Sequence, residues 1–452
     1  LSSGPGITDA VECHASRTYP RFIIFIYLRG SHLDLWLAKT DNYASSTCGR
    51  EGGMSISAPS MPVSRAGRPL LPGDRPLALL DSSGMPVGQD DPPVPGLAAG
   101  GLEMPGPDVL TGLHRSMVVG RRFDAQATAL TRQGRLAVYP SSRGQEACQV
   151  GAAHAMRGQD WLFPTYRDSV AIVSRGVDPV EALSLLRGDW HCGYNPYAHR
   201  VAPQCTPLAT NTLHAVGLAR AAQIKGEDTV AVVLLGDGAT SEGDTHEALN
   251  FAAVWNAPVV FLVQNNGYAI SVPLAKQTAA PSLAHKGIGY GMASQQIDGN
   301  DPAGVYAAVR AAVQAAASGD GPTLIEALTY RIEAHTNADD ATRYRSSDEV
   351  QAWLARDPVL RLENYLRTAG LLDDAALAAI EAEAEQLAAD LRDRMNAEPG
   401  CDPAELFRHV YAQPTAALAA QHRALAAELA EAELAEAELA EAELAEQTGA
   451  GT

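Results

Sequence analysis

The stretch Val232–Ser271, VVLLGDGATSEGDTHEALNFAAVWNAPVVFLVQNNGYAIS, restricts the fold more than any other part of the chain. Two runs, Thr229–Leu235 and Pro258–Gln264, are apolar without a polar/apolar alternation. Runs of that kind fit strands buried on both faces. The residues between them, from about Asp244 to Trp255, read as one helix of crossover length. A strand, a helix and a second buried strand make a βαβ unit, and its crossover lays the second strand parallel to the first. Both strands then end at the same edge of the sheet. Gly236-Asp237-Gly238 follows one and Asn265-Asn266-Gly267 follows the other. Open parallel sheets bind ligands outside the carboxyl ends of their strands.

The residue types at that edge suggest a ligand class. Glycine lets the backbone turn sharply and come close to a ligand. Asp237 and Asn266 offer hard oxygen atoms to one point, and the Tyr268 carbonyl can add another. Mg²⁺ prefers such ligands and commonly keeps phosphate oxygens in its shell. The main-chain amides of Gly238 and Ala239 are placed to meet a phosphate. A lone GDG is usually a turn. An Asn pair that begins 28 residues beyond Asp237, after the next buried strand, makes the combination far more specific.

The remaining chain divides by composition. Residues 1–53 show no steady period and are expected to be a non-native or disordered extension, with native translation starting at or near Met54; a cleaved targeting peptide is the alternative. Residues 54–104 are rich in Pro, Gly and Ser and are expected to stay disordered. Residues 105–414 read as the globular domain. "PDVLTGLHRSMVVGRRFDAQATALTRQG" is a long amphipathic helix closed by Gly134, "GQEACQVGAAHAM" a second helix, "DWLFPTYRDSVAIVSRG" leads into a third, and "TNTLHAVGLARAAQIKG" is a helix closed by Gly226. "PTLIEALTYRI" reads as a later strand, and the chain beyond Ser347 as helical. The fold class is therefore α/β, a doubly wound parallel sheet flanked by helices. Residues 415–452 form an acidic tail in which Leu429, Leu434, Leu439 and Leu444 recur five apart. At about 100° per residue these leucines make no stripe, so the tail is expected to be a solvated helix or disordered.

Bulk properties exclude some functions. The formal net charge of −19 argues against a nucleic-acid-binding surface. From Gln421 onward eight Glu face one Arg, so much of this acidity is local. The longest strongly apolar run near the start, Phe22–Leu28, is far short of the roughly 20 residues a membrane helix needs. Six cysteines without a CxxC pair are expected to be reduced thiols, as in a bacterial cytoplasm or, in a eukaryote, a mitochondrial matrix. His191, Cys192 and Cys205 have the wrong spacing for zinc. His199 and His246 are expected to be surface or satisfied residues, and Glu146 a helix-start or interface carboxylate.

GDG followed by NN at the end of the next strand resembles the thiamine diphosphate signature. "GDGATSEGD", "NFAAVWNAPVVFLVQNNGYAIS", "TPLATN" and "HTNADDATRYRS" further resemble the α subunit of the decarboxylating first component of branched-chain 2-oxo acid dehydrogenase complexes, from about Pro107 to Leu372. The resemblance implies a thiamine diphosphate-binding fold with Mg²⁺ held by Asp237, Asn266 and the Tyr268 carbonyl. Many branched-chain relatives carry Glu at the first of these positions, and either carboxylate can serve. It implies Tyr166 and Arg167 on the diphosphate, with the planar Arg fork matching phosphate oxygens. Thr206 and Leu208 would line the thiazolium and pyrimidine region. Gln264, which stands where some relatives have an Arg, would join Gly238, Ala239 and Arg331 among the cofactor-binding residues. His335 would lie beside the reacting carbon as an acid-base group. Cys205, Pro207, Thr210 and Asn211 match a potassium site of some relatives. Asp339, Asp340, Arg343, Tyr344 and Arg345 are expected to order the loop by ion pairs. Thr336 replaces a serine that some relatives phosphorylate, which argues against kinase control.

The resemblance also implies partners. The carboxylate that activates the cofactor belongs to a second, pyrimidine-binding domain, and the globular region here is long enough for one such domain. In the family that domain is a separate β subunit, giving an α2β2 heterotetramer. Its acyl product passes to the lipoyl domain of a dihydrolipoyl acyltransferase, whose subunit-binding domain holds the enzyme. The expected substrate is a branched-chain 2-oxo acid such as 2-oxoisovalerate, with pyruvate or acetoin enzymes as the alternative. A non-catalytic Mg²⁺-nucleotide binder would need a Walker loop or a GxGxxG fingerprint on a strand–helix turn, and neither occurs.

Overall fold

The computed structural model describes residues 22–29, 32–39, 63–65, 67–68, 70–73, 75–87, 102–189, 192–397, 402–408 and 410–449. Contacts divide the chain into two units, Leu1–Ser60 and Met61–Thr452. The first holds an antiparallel pair, β1 (Phe22–Arg29) and β2 (His32–Lys39). No element was expected there. The other residues of 1–53 lie outside the described set, as do 88–101.

The second unit is built on a five-stranded sheet. Its strands are β3 (Trp161–Phe163), β4 (Ala231–Gly236), β5 (Val259–Asn265), β6 (Ala293–Asp298) and β7 (Thr323–Leu328). They run in the order β3-β4-β5-β7-β6 and every pair is parallel. Alternate residues of the apolar runs go to opposite cores, as the pleat requires. Leu162, Val232, Leu234, Val260, Leu262 and Ile325 face one side. There they meet α2 (Glu146–Ala155), α3 (Ser169–Ser174) and α7 (Pro302–Ala317). Trp161, Val233, Leu235, Phe261 and Val263 face the other, against α5 (Thr210–Lys225) and α6 (Gly243–Trp255). The sheet is therefore doubly wound. A further helical layer, α1 (Pro107–Arg132), α4 (Pro179–Arg187), α9 (Pro358–Thr368) and α10 (Asp374–Asn396), closes over α2 and α3. Between Arg331 and α9 lies the short helix α8 (Ser347–Leu354).

Helix ends follow the expected chemistry. Gly134 and Gly226 lie just beyond α1 and α5 at φ +73° and +71°, left-handed values that suit glycine. Strand β6 was not anticipated, because Gln295 and Gln296 interrupt its apolar pattern. The later strand also stops at Leu328, and Thr329 leaves the sheet with its N–H on the Asn265 carbonyl at 2.9 Å.

The Pro/Gly-rich region departs most from expectation. Residues 75–80 run along the outer edge of β6, where Leu77 bridges Ile297 in parallel. Leu80 is fully buried, which contributes about 2 kcal/mol and offsets part of the ordering cost of such a segment. The buried Asp301 carboxylate accepts from the N–H groups of Leu79 and Leu80, at 2.6 and 3.0 Å, and caps α7 through Ala303. Arg361, 1% exposed, donates to Asp298 at 2.9 Å and to the Leu80 carbonyl. Polar groups on α7 and α9 thus fix a segment whose own composition specifies nothing.

The tail α11 (Ala416–Gly449) is one continuous helix, with Leu429, Leu434 and Leu439 exposed. Arg361→Leu should lower stability by about 3 kcal/mol, since it leaves Asp298 short of its buried partner. Denaturant unfolding measures this, and a loss under about 1 kcal/mol would show that the clamp is dispensable.

Candidate active site

Strand register places the two loops side by side. Gly236 pairs with Gln264, so Asp237 and Asn266 both emerge at the carboxyl edge of the sheet. Asp237 is 1% exposed. Its Oδ2 accepts from Gln277 Nε2 at 2.7 Å, and the main-chain N–H groups of Asp237 and Asn266 also act on the carboxylate. Burial raises its proton affinity above the ordinary carboxylate value, and these donors work against that rise. Gly238 and Ala239 open the 3-10 turn Gly238–Ser241, where N–H groups have no carbonyl within the turn to bond. A Cβ on Gly238 would come within 2.8 Å of the Ala269 Cβ, so glycine is what lets the two loops abut.

Asn266 is buried. Its Oδ1 accepts from the Tyr268 N–H at 3.2 Å, and its Nδ2 donates to Gln145 Oε1 at 3.1 Å. The Tyr268 hydroxyl donates to the Glu349 carboxylate, which ties the loop to α8. Ile270, with φ +57°, carries the strain of the tight return, and its carbonyl accepts from Arg331 at 2.9 Å.

Two guanidinium groups converge beside this loop. Arg167 and Arg331 each donate to His335 Nδ1 at 3.0 Å. A nitrogen that accepts carries no proton, so His335 is the neutral Nε2–H tautomer. Burial, then Arg167 and Arg331, push its pKa down from 6.5 to about 4. Burial, then Arg167, also lowers the proton affinity of Arg331. The Arg331 Nε is buried without a hydrogen-bond partner. Arg167 is also held by the Ser141 carbonyl at 3.0 Å and the His335 carbonyl at 2.9 Å. Tyr166 packs edge-on against His335, ring centroids 6.1 Å apart.

The loop after Arg331 is ordered chiefly by bonds to main chain, not by the expected ion pairs. Asp339 accepts from the His335 N–H at 2.8 Å and from the Tyr344 hydroxyl. Arg345 donates to the carbonyls of Arg331, Ile332 and Glu333, and Asp340 caps the turn at Thr342.

Other expected residues lie nearby with different duties. Cys205 bridges Thr165 in parallel, which sets Thr206 beside Tyr166 in register, and Leu208 is exposed. Gln264 is turned inward, onto side chains of this chain. It is 2% exposed, gives its Nε2 to Asp168 at 2.7 Å and accepts from Gln145 at 3.0 Å. A neutral amide behind the edge bonds these neighbours where a long Arg would reach past them. Asn211 spends its Nδ2 on the carbonyls of Leu234, Phe163 and Pro164, at 2.8, 3.3 and 3.4 Å. The Cys205 thiol donates to the Pro207 carbonyl at 3.2 Å. Cys192 likewise bonds the Tyr194 carbonyl, and His191 lies outside the described residues. Glu146 accepts from the Gly144 N–H and pairs with Arg121, as a helix-start carboxylate should. Sequence reading missed Gln145, Asp168, Gln277 and Glu349. Each belongs to a separate segment with no motif of its own.

A cavity of about 670 Å³ adjoins the loop, lined by Asn266, Tyr268, Tyr330, Glu349 and Trp353 among others. Asp237, Arg167, Arg331 and His335 are not in its walls. Asp237, Arg167 and Arg331 are instead enclosed by their own loops, at 1%, 6% and 2% exposed.

His335 should titrate near pH 4 by NMR in the free chain. Its pKa is depressed in the fold, so between pH 6.5 and 4 the unfolded chain takes up a proton that the fold refuses. Acidification through that window should cost stability, and His335→Asn should remove that share of the pH dependence. Titration near 6.5 would show that the two guanidiniums do not hold the ring.

Comparison with known proteins gives the family. Residues 114–403 match the family described as Dehydrogenase E1 component. The chain is 50% identical to a 3-methyl-2-oxobutanoate dehydrogenase subunit alpha of Mycobacterium tuberculosis, over 72% of this chain and 88% of that protein. It is 41% identical to a pyruvate dehydrogenase E1 component subunit alpha of Staphylococcus aureus, over 59% of this chain and 72% of that protein. With a family match over most of its length and a relative this similar across nearly all of its own, the chain belongs to the dehydrogenase E1 component family.

Proposed function

We propose that this chain is the α subunit of an α2β2 enzyme that oxidatively decarboxylates branched-chain 2-oxo acids such as 3-methyl-2-oxobutanoate (2-oxoisovalerate). The acyl group would pass to a lipoyl group of a dihydrolipoyl acyltransferase. The observation that carries the substrate is the higher identity and wider coverage of the 3-methyl-2-oxobutanoate relative, 50% against 41% for the pyruvate relative. The pyruvate relative keeps a pyruvate or acetoin enzyme as the second reading.

The family depends on thiamine diphosphate. When bound, that cofactor supplies the electron sink for loss of CO₂ from a 2-oxo acid. The residues present fit it. Asp237 is a buried carboxylate met by neutral donors, and it would hold Mg²⁺ together with Asn266 Oδ1 and the Tyr268 carbonyl. Among the described residues no group of three or more His, Cys, Asp or Glu could hold a metal ion. A Mg²⁺ bound here would therefore take further oxygens from phosphate or water. Arg167, Arg331 with its unpartnered Nε, and the amides of Gly238 and Ala239 would hold the phosphates. Tyr166, Thr206 and Leu208 would flank the rings. The potassium reading fits less well, because Asn211 turns its amide nitrogen to main-chain carbonyls.

His335 would hold and move a proton beside the reacting carbon. In the free chain two guanidiniums keep it neutral. Phosphate oxygens on Arg167 and Arg331 would offset their charge and raise the imidazole's pKa back toward neutral pH, where acid-base work is efficient. A β subunit would cover the site and supply the activating carboxylate. Among the described residues no helix is long and apolar enough to cross a membrane.

Asp237→Ala should abolish Mg²⁺-dependent binding of thiamine diphosphate, read by calorimetry; unchanged affinity would refute the metal site. The purified chain alone should show little turnover. With a β subunit it should prefer 2-oxoisovalerate over pyruvate in kcat/KM, and the reverse preference would move the assignment to the second reading.

A further inference from the structure

Behind Asn266 the buried amides form a chain with a direction. Asp168, 0% exposed, accepts through Oδ2 from the Thr165 N–H and hydroxyl at 2.7 and 2.6 Å. Its Oδ1 accepts from Gln264 Nε2 at 2.7 Å. A carboxylate met by three donors only accepts. Gln264 must therefore turn its NH₂ toward Asp168, and its Oε1 is left to accept from Gln145 Nε2 at 3.0 Å. Gln145 then has only its Oε1 for Asn266, whose Nδ2 donates to it at 3.1 Å. The amide nitrogen of Asn266 is thereby occupied, and Oδ1, which accepts from the Tyr268 N–H at 3.2 Å, is the atom left for the cation. The two ends of an Asn amide have nearly the same shape, so packing alone cannot choose between them. An NH₂ group turned toward a cation would repel it.

We infer that Asp168, Gln264 and Gln145 are positioning residues whose hydrogen-bond direction fixes Asn266 with its oxygen toward the cation. This rests on the proposed metal site. It assigns Gln264 a task that needs an amide, since a guanidinium has no acceptor and would break the sequence of donors and acceptors.

The direction can be reversed from its far end. In Asp168→Asn the oxygen must stay on the Thr165 N–H, so the new NH₂ faces Gln264. Gln264 and Gln145 would then turn over, Asn266 would accept through Oδ1, and its NH₂ would face the cation. Asn266→Asp alone sets a carboxylate against Gln145 Oε1 while Asp168 still holds the other end. The two substitutions together give a consistent reversed chain, because a carboxylate at position 266 can accept from Gln145 and still offer an oxygen to the metal.

The experiment titrates Mn²⁺ into the full chain with thiamine diphosphate present and reads free Mn²⁺ by electron paramagnetic resonance. Thermal unfolding of the same four proteins is measured alongside. Each single variant should weaken Mn²⁺ binding about tenfold or more. The double variant should return to within about twofold of the unsubstituted chain. If a single variant fails to fold, the double variant should still unfold cooperatively near the midpoint of the unsubstituted chain, and a double variant that also fails to fold overturns the relay. A double variant no better than the weaker single, or an Asp168→Asn chain with unchanged affinity, overturns the relay. Asp237→Ala run in parallel separates the two failures. If it leaves Mn²⁺ affinity intact, the metal-site reading falls and the relay with it. If it removes binding while the relay variants behave additively, the relay alone falls.

Discussion

One carboxylate and two guanidiniums meet at the carboxyl edge of the sheet without pairing, and much of the surrounding structure holds them there. Asp237 is buried with neutral donors around it. Arg167 and Arg331 share a single imidazole nitrogen, and a main-chain carbonyl beside each guanidinium does not neutralise it. Arg331 is close enough to act on the Asp237 carboxylate, yet no ion pair between them forms. Leaving buried charges short of partners is costly, and folds keep such groups mainly where a ligand completes them. A cation with an attached anion satisfies both ends at once, which is what a Mg²⁺ diphosphate offers.

The order of the loops follows from this separation. Strand β4 delivers Asp237 and strand β5 delivers Asn266, because a crossover helix must return the chain in parallel. Strand β7 runs beside β5 and releases Arg331 and His335 at the same edge. The fourth contribution, Arg167, comes from the segment after β3 on the opposite side of β4. Four elements separated widely in sequence thus converge without any one of them being unusual. On the proposed reading the remaining catalytic half belongs to another chain.

Legibility differed with the range of the interactions involved. Asp237, Asn266 and the amides after Asp237 could be read because local pattern and topology suffice: two buried strands, one helix, and glycine at each exit. Gly134 and Gly226 were legible for the same reason, since a helix end is a local event. Gln264 was read toward the diphosphate, yet its side chain points to Asp168 and Gln145. Its direction depends on the acceptor state of Asp168, which no spacing encodes. The loop at Asp339 was read as ion pairs, but short polar chains found main-chain partners closer at hand. Residues 75–80 read as unordered because their composition has no period. Their order comes from Asp301 and Arg361, more than two hundred residues away.

By itself the sequence determined the doubly wound sheet and the edge at which Asp237 and Asn266 emerge. Buried parallel strands leave a distinctive apolar run, and their handed crossover leaves little choice of topology. Only the tertiary structure decided the protonation of His335, the orientation of Asn266 and the place of the Pro/Gly-rich strap. Each of those is set by hydrogen bonds and fields between groups far apart in the chain, and a donor or a charge acquires its meaning only once its neighbour is known.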